Sequence, residues 1–258
     1  MKRLILALSF IAFCGFEAIS QATLYTPRAL IIPFHTDTKQ IHISGGFASS
    51  VDHGSVDVNV SYSFTKKFAF FASTTFNPFS YSYMGEESII RPRYHYKYNN
   101  LTTSFGVEYF KSGLDGFLDI FETQMGLGYS NIDRLSFAVH EGFLDKKREY
   151  DYKNMFCQLS ATKTINKFDV SMALRTTYVM FNTFKEYEIN GDELVENSKI
   201  PSQFYFEPSI GCSYRIKGIK LNLQVGGFVK NYSSTTDQLS STTNEKVLFS
   251  RIAVQYNL

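Results

Sequence analysis

GSVDVNVSYSFTKKFAFFASTTFN, residues 54–77, decides how the rest of the chain is read. Val56, Val58, Val60, Tyr62 and Phe64 alternate with Asp57, Asn59, Ser61 and Ser63. After Thr65-Lys66-Lys67, the residues Phe68, Phe70, Ala72 and Phe76 resume on one face. Period-2 alternation over runs of this length marks strands with one apolar face, and so brief a polar break makes an antiparallel hairpin. The open question is which solvent the apolar face meets, a protein core or lipid.

Composition narrows the choice. At 258 residues the chain has room for one large β domain or two small ones. It holds 17 Tyr, 25 Phe and no Trp, with only 19% charged residues, a balance that favours strands over helices. A net charge of +2 offers no basic excess for nucleic acid.

MKRLILALSFIAFCGFEAIS, residues 1–20, reads as an export signal. Lys2 and Arg3 form the charged start, Leu4 to Phe13 the apolar run, and Ala18-Ile19-Ser20 the small-residue site, so cleavage is expected between Ser20 and Gln21. The run is shorter than the ~20 apolar residues of a membrane helix. Cys14 offers a second reading, cleavage before a lipidated cysteine, although Phe13 stands where such a signal wants a small residue. Either route takes the protein out of the cytoplasm. Beyond the signal, Cys157 and Cys212 alternate with apolar partners and read as small fillers on the apolar faces of strands that are not neighbours.

The same periodicity continues to the end of the chain. Strands are expected at Lys39–Ser49, Ser55–Thr65, Phe68–Asn77, Leu101–Lys111, Phe117–Tyr129, Asn154–Thr164, Phe168–Asn182, Gln203–Ile216, Ile219–Lys230 and Lys246–Leu258. Most exceed the five or six residues usual in soluble sheets. Ten residues tilted by about 40° rise roughly 25 Å, the height of an outer-membrane apolar band. Connections at 65–67, 112–116, 165–167 and 217–218 are short, whereas 78–100, 130–153, 183–202 and 231–245 are long and polar. That asymmetry, with an even strand number, predicts an all-β, transmembrane, antiparallel up-and-down barrel of about ten strands, with short periplasmic turns and long extracellular loops. The division is then a signal at 1–20, an N-terminal periplasmic segment at 21–38 and the barrel at 39–258.

Two rows of side chains come with this reading. Phe64, Phe68, Tyr109, Phe117, Phe168, Tyr214 and Tyr256 fall toward the periplasmic rim. Phe76, Phe79, Tyr129, Tyr178, Phe181 and Phe204 fall toward the outer rim, the two positions where aromatic rings suit the headgroup boundary. Asp57, Glu108, Glu122, Asp169, Arg175, Glu207, Arg215 and Arg251 lie opposite the apolar rows and are expected to face the lumen. The last strand, KVLFSRIAVQYNL, carries Leu248, Ile252, Val254, Tyr256 and Leu258 on one face. It resembles the C-terminal signal of outer-membrane barrels, with Leu in place of the usual Phe.

LYTPRALIIPFHTDTKQIHISGGFAS, residues 24–49, resembles the opening of a family of Bacteroidota outer-membrane β-barrel proteins. The matching residues are Tyr25, Pro27, Pro33 and Phe34. The 56–77 hairpin and FYFEPSIGCSYRIKGIKLNLQVGGF, residues 204–228 with Phe206-Glu207-Pro208, resemble the family's early and penultimate hairpins. The resemblance implies a porin-like barrel and brings no catalytic or ligand residue. Thr38-Lys39-Gln40 departs from the family's Lys-Gly-Glu-like entry to the first strand.

Chemistry is sparse. His35, His42, His53, His95 and His140 are scattered, with neither His-Glu-x-x-His nor Cys-x-x-Cys spacing, so no metal, cofactor or catalytic set is expected. Asp52-His53 invites comparison with barrel proteases, although a lone Asp-His in a turn is ordinarily a polar turn. Gly126 and Gly128 lie within a strand, where small residues relieve crowding in a narrow barrel. RPRYHYKYNN, residues 91–100, either binds lipopolysaccharide or glycan through cations and rings or extends strands above the membrane. DKKREYDYKN, residues 145–154, reads as a solvated loop or strand extension. The expected role is that of a non-enzymatic outer-membrane barrel with a narrow, side-chain-filled lumen, structural or surface-interacting. A small passive pore is the alternative, and a soluble ligand-binding barrel or an outer-rim hydrolase stands further off.

Overall fold

The computed structural model describes residues 35–50, 54–77, 80–83, 94–114, 116–138, 144–188, 193–197, 202–231 and 246–258. Ser20, Gln21, Cys14, the Tyr25–Phe34 motif, Asp52-His53, Phe79, Arg91 and Arg93 lie outside them. The strands are β1 (Ile41–Ser50), β2 (Gly54–Ser63), β3 (Phe68–Asn77), β4 (Ser80–Tyr83), β5 (Tyr94–Ser112), β6 (Ile120–Ala138), β7 (Leu144–Ile165), β8 (Phe168–Glu188), β9 (Glu193–Asn197), β10 (Gln203–Ile216), β11 (Ile219–Asn231) and β12 (Lys246–Asn257). Ten of them close an antiparallel barrel, with β12 pairing back onto β1 and β10 pairing with β8. The short β4 and β9 only extend the sheet beside β5 and β8.

The opening hairpin forms as its pattern dictates. Val56 pairs with Phe76, Val60 with Ala72 and Tyr62 with Phe70. Its turn is held by the Thr65 hydroxyl, which accepts from the Phe68 amide at 2.9 Å. The two-residue turns at 166–167 and 217–218 place Asn166 and Lys217 at φ 57° and 54°. Asn tolerates that left-handed region through its short polar side chain.

Closure settles which way the faces look. Val58 (50% exposed), Phe105 (64%) and Ile252 (66%) point away from the barrel axis, while Asp57, Asn59 and Arg251 are buried inside. A water-soluble barrel buries its apolar rows, so this inside-out arrangement needs lipid around it. Aromatic rings gather at both ends of the apolar band. Phe64 stacks on Phe70 at 4.5 Å and Phe168 lies 4.8 Å from Tyr214 near the short turns, and Tyr178 lies 5.6 Å from Phe204 at the far end. Cys157 and Cys212 are free thiols half-exposed on the outward rows of β7 and β10.

Several expectations need correction. The stretches 130–153 and 183–202, read as loops, are largely strand, because β6, β7 and β8 run on to Ala138, back to Leu144 and on to Glu188, and β9 follows. Likewise β5 begins at Tyr94, so the Tyr-rich run extends a strand. Above the lipid band the alternation persists but its polarity inverts. Ile132, Tyr150, Tyr152 and Phe184 are buried inward, with Asn131, Lys153 and Asn182 exposed outward. Water replaces lipid at that height, so oily residues retreat to the inside. Phe181 turns inward rather than toward the outer rim, on the same row of β8 as Arg175, Thr177 and Val179; beyond it Tyr152 pairs with Phe181 and Asp151 with Thr183, so a bulge at Asn182 reverses the facing and turns Phe184 inward. Phe117 precedes β6 and stands 84% exposed in the turn.

Candidate functional site: the lumen

The interior is filled from the short-turn end outward. At the short-turn end, residues 35–40 fold back into the barrel mouth. His35 is fully buried, its ring stacked 4.1 Å from His42 and 5.4 Å from Phe110, and its Nε2 lies 2.9 Å from the Ser61 hydroxyl. The Ser63 hydroxyl donates to the Asp37 carbonyl at 2.7 Å, the Lys39 amide to the Ser63 carbonyl at 2.6 Å, and the Ser112 hydroxyl to the Thr36 carbonyl at 3.0 Å. Burial holds the His35 imidazole down to about 4, with the nearby Lys220 ammonium acting in the same direction and a hydrogen bond with Gln40 offsetting part of it. On the rim, Lys163 and the Thr164 amide hydrogen-bond Asp119 and hold its carboxyl below the usual range.

A network of buried charge runs inward from the mouth. Arg251 Nε meets both oxygens of Asp57 at 2.7 and 2.8 Å. Lys220 Nζ meets Asp169 at 3.1 Å, where the Thr164 hydroxyl also donates at 2.8 Å. Gln124 donates to Glu108 at 3.2 Å, and Ser160 to Glu122 at 3.2 Å. Arg175 donates to Gln158 through Nε and Nη2 at 3.2 and 2.9 Å, and Thr177 donates to Glu207. Seven of the eight residues expected in the lumen are thus buried in the barrel. Arg215 lies at the mouth, its side chain 45% exposed and 3.2 Å from Asp169.

At mid-height two rings lie against the inner wall over β5 and β6. Phe71 and Phe156, both buried, lie 5.9 Å apart, and the Arg175 guanidinium sits 4.7 Å over the Phe156 ring. Glycines in the wall make room for them. A Cβ on Gly106 would come within 2.7 Å of Phe71 Cζ, and one on Gly126 within 2.6 Å of Phe156 Cζ. Toward the outer end, Ile132, Tyr150, Tyr152, Val179, Phe181, Phe184, Tyr205 and Phe228 pack as one apolar cluster. Asn77 and Asn154, both 1% exposed, carry amide atoms with no protein partner, which calls for bound water.

Sequence reading missed His35 and the outer cluster. The first lies ahead of any alternating run; the second hides where polarity inverts. Among the described residues no group of three or more His, Cys, Asp or Glu is placed to hold a metal.

No protein-family model matches the chain. No curated protein matches it in sequence. Solved structures do. The outer membrane protease OmpT from Escherichia coli has a TM-score of 0.57 at 10% identity, covering 88% of this chain and 99% of that one. The translocator domain of autotransporter NalP from Neisseria meningitidis has a TM-score of 0.46 at 9% identity, covering 84% and 86%. A KdgM porin has a TM-score of 0.38 at 12% identity, covering 83% and 98%. The likeness to OmpT is one of fold, that of a bacterial outer-membrane β-barrel, and it agrees with the inside-out faces.

Proposed function

We propose that this is a non-enzymatic outer-membrane barrel with a closed lumen, serving as a structural or surface-interaction protein and not as an open pore. The observation that carries this reading is the filling of the bore at three heights, by His35 and Phe110, by Phe71, Phe156 and Arg175, and by the outer apolar cluster. Small barrels of about eight strands are filled by side chains, and wide aqueous channels appear at 16–18. The buried charges are engaged by one another, as Asp57–Arg251 and Asp169–Lys220, or by neutral side chains, as Glu108, Glu122, Arg175 and Glu207 are, rather than arrayed for a passing solute. Lipid is the partner that the outward rows require. The surface that meets the outside is the sheet of β5–β8 beyond the lipid band, and glycan or lipopolysaccharide is the ligand class proposed for it. Kinship with the Bacteroidota barrels rests on the Tyr25-x-Pro27 opening and on Phe206-Glu207-Pro208 in β10.

Planar-bilayer recording of the purified, heat-modifiable barrel tests the reading. A silent membrane at neutral pH is expected. Regular ohmic steps would overturn it in favour of the small pore.

A further inference from the structure

We propose that the strap His35–Gln40 is an acid-released stopper of the periplasmic mouth, seated while His35 is neutral and expelled when that ring takes a proton. The geometry is that of a removable part. The strap enters the barrel ahead of β1, turns at Lys39, whose φ is 63°, and is held by hydrogen bonds to Ser63 and Ser112. Only His35 reaches deep, where it is fully buried between Ser61 and the strap's own Gln40.

The groups around it are a poor home for an imidazolium. His42 on β1 is stacked on it nearly parallel, with 14° between the planes, and is itself bonded to Gln255 on β12. Ser61 on β2 offers a hydroxyl and Phe110 on β5 an apolar ring. The charged group acting on it is Lys220 on β11, whose ammonium opposes a second positive charge. Two carboxylates act on Lys220: Asp169, engaged by Lys220, Arg215 and Thr164, and Glu122 on β6, which accepts from Ser160. Two stacked imidazoles and an ammonium share the mouth, so one added proton sets like charges against each other where water is scarce. Swinging the strap about Lys39 returns the ring to water, where its ordinary pKa of about 6.5 applies. His35 is held down to about 4 in the seated state, so seating is expected to weaken as pH falls below about 6.5, with most of the effect in place by about 4.

The inference rests on the closed mouth of the proposed function, but the two fail separately: conductance at neutral pH tests the closed bore, and thiol access tests the strap. Ser61→Cys, beneath His35, and Lys67→Cys, in the exposed turn, are each placed in a background lacking Cys14, Cys157 and Cys212. Both are reacted with dithiodipyridine, which remains active in acid, on the folded barrel in micelles. The Ser61→Cys rate relative to that of Lys67→Cys is expected to rise on the order of ten-fold between about pH 6 and pH 4. His35→Ala is expected to raise it at neutral pH and to abolish its pH dependence. An NMR titration of ring-labelled His35 should share the midpoint. A ratio flat across that range in a barrel still showing boiling-dependent mobility overturns the proposal. So does continued protection of Ser61→Cys in the His35→Ala variant, an arm that decides at neutral pH even if acid unfolds the barrel.

Discussion

Replacing Asp57 with alanine removes the carboxylate that Arg251 reaches from β12 across β1 to β2. The pair spans the seam where the barrel closes, with Gly46 on β1 opposite both Asp57 and Ala253. A Cβ at Gly46 would lie 2.9 Å from Arg251 Nε, so the glycine keeps the passage open for the guanidinium. The Arg251 side chain is 7% exposed and that of Asp57 6%, so without Asp57 a buried cation keeps, among the described residues, only the distant Ser44 hydroxyl at 3.5 Å. Breaking a buried pair on one side costs about 3–5 kcal/mol. Arg251→Met is expected to cost a similar amount by stranding the carboxylate. The double variant leaves neither charge and should recover at least about 2 kcal/mol of the summed loss. The assay is urea unfolding of the barrel in vesicles, followed by the mobility shift between folded and boiled forms. If each single change costs under about 1 kcal/mol and the two add, the pair is solvated as on a surface. A wet conduit would then replace the filled lumen, and the closed-barrel reading would fall.

Phe156→Ala should cost about 3–5 kcal/mol in the same assay yet leave bilayers silent, since His35 at the mouth and the outer cluster still close the bore; current steps in this variant would show that the mid-height ring alone blocks the path. Gly126→Val, whose Cβ falls 2.6 Å from Phe156 Cζ, is expected to suppress the folded band on the gel, with partial recovery in the Gly126→Val/Phe156→Ala double variant. Val60→Arg, mid-way along the lipid-facing row of β2, should lose about 2–4 kcal/mol of folding free energy into vesicles. Asn182→Arg, exposed above the band, should stay within about 0.5 kcal/mol of the parent, and equal costs at the two sites would place lipid elsewhere. His35 titrates near 4 in the fold against 6.5 unfolded, so the unfolded chain binds the proton first as pH falls. Stability is therefore expected to be full above about 6.5 and to drop by up to about 3 kcal/mol by pH 4, whereas a flat urea midpoint across that window denies the burial.

How much of this was legible in the sequence depends on what each part of the chain faces. The 54–77 hairpin could be read residue by residue because one face meets lipid and the other a polar interior, which fixes both period and register. The described residues above the band on β6 and β7 obey the same period with the opposite sign. Tyr150 and Tyr152 look inward, and Asp151 and Lys153 outward, so a search for oily residues on the outer row stops at the headgroups. Phe181 shares the parity of Arg175 and so belongs to the inward row by count alone, an aromatic near a strand end that is not a rim residue, whereas the bulge at Asn182 hides the inward facing of Phe184 from any residue count. Parity marks Asp57 and Arg251 as inward, but nothing local joins residues 194 positions apart; only closure of the last strand onto the first does. His35 carried no periodic signal at all, because its place is set by a turn at Lys39 and by serines on β2 and β5.

A filled lumen could in principle be apolar, and the charges inside this one need a physical reason. Replacing a buried ion pair by well-packed hydrophobic residues is often neutral or stabilising, so Asp57–Arg251 and Asp169–Lys220 are not there for stability alone. Their value lies in the alternatives that they exclude. A strand with two oily faces can slip by one residue at little cost, because either face satisfies lipid. When β2 carries Asp57 and Asn59 between Val56, Val58 and Val60, the same slip turns Asp57 toward the acyl chains and the valines inward. Each charge so exposed costs up to about 2–4 kcal/mol near the midplane, least for an acidic residue. Partners suffer together: a slip of β2 leaves Arg251 on β12 buried and unpaired, adding the cost of breaking the pair to that of misplacing one member. Polar residues that add little net stability when correctly seated therefore set the register of the closing seam, β12–β1–β2, which forms from the two ends of the described barrel.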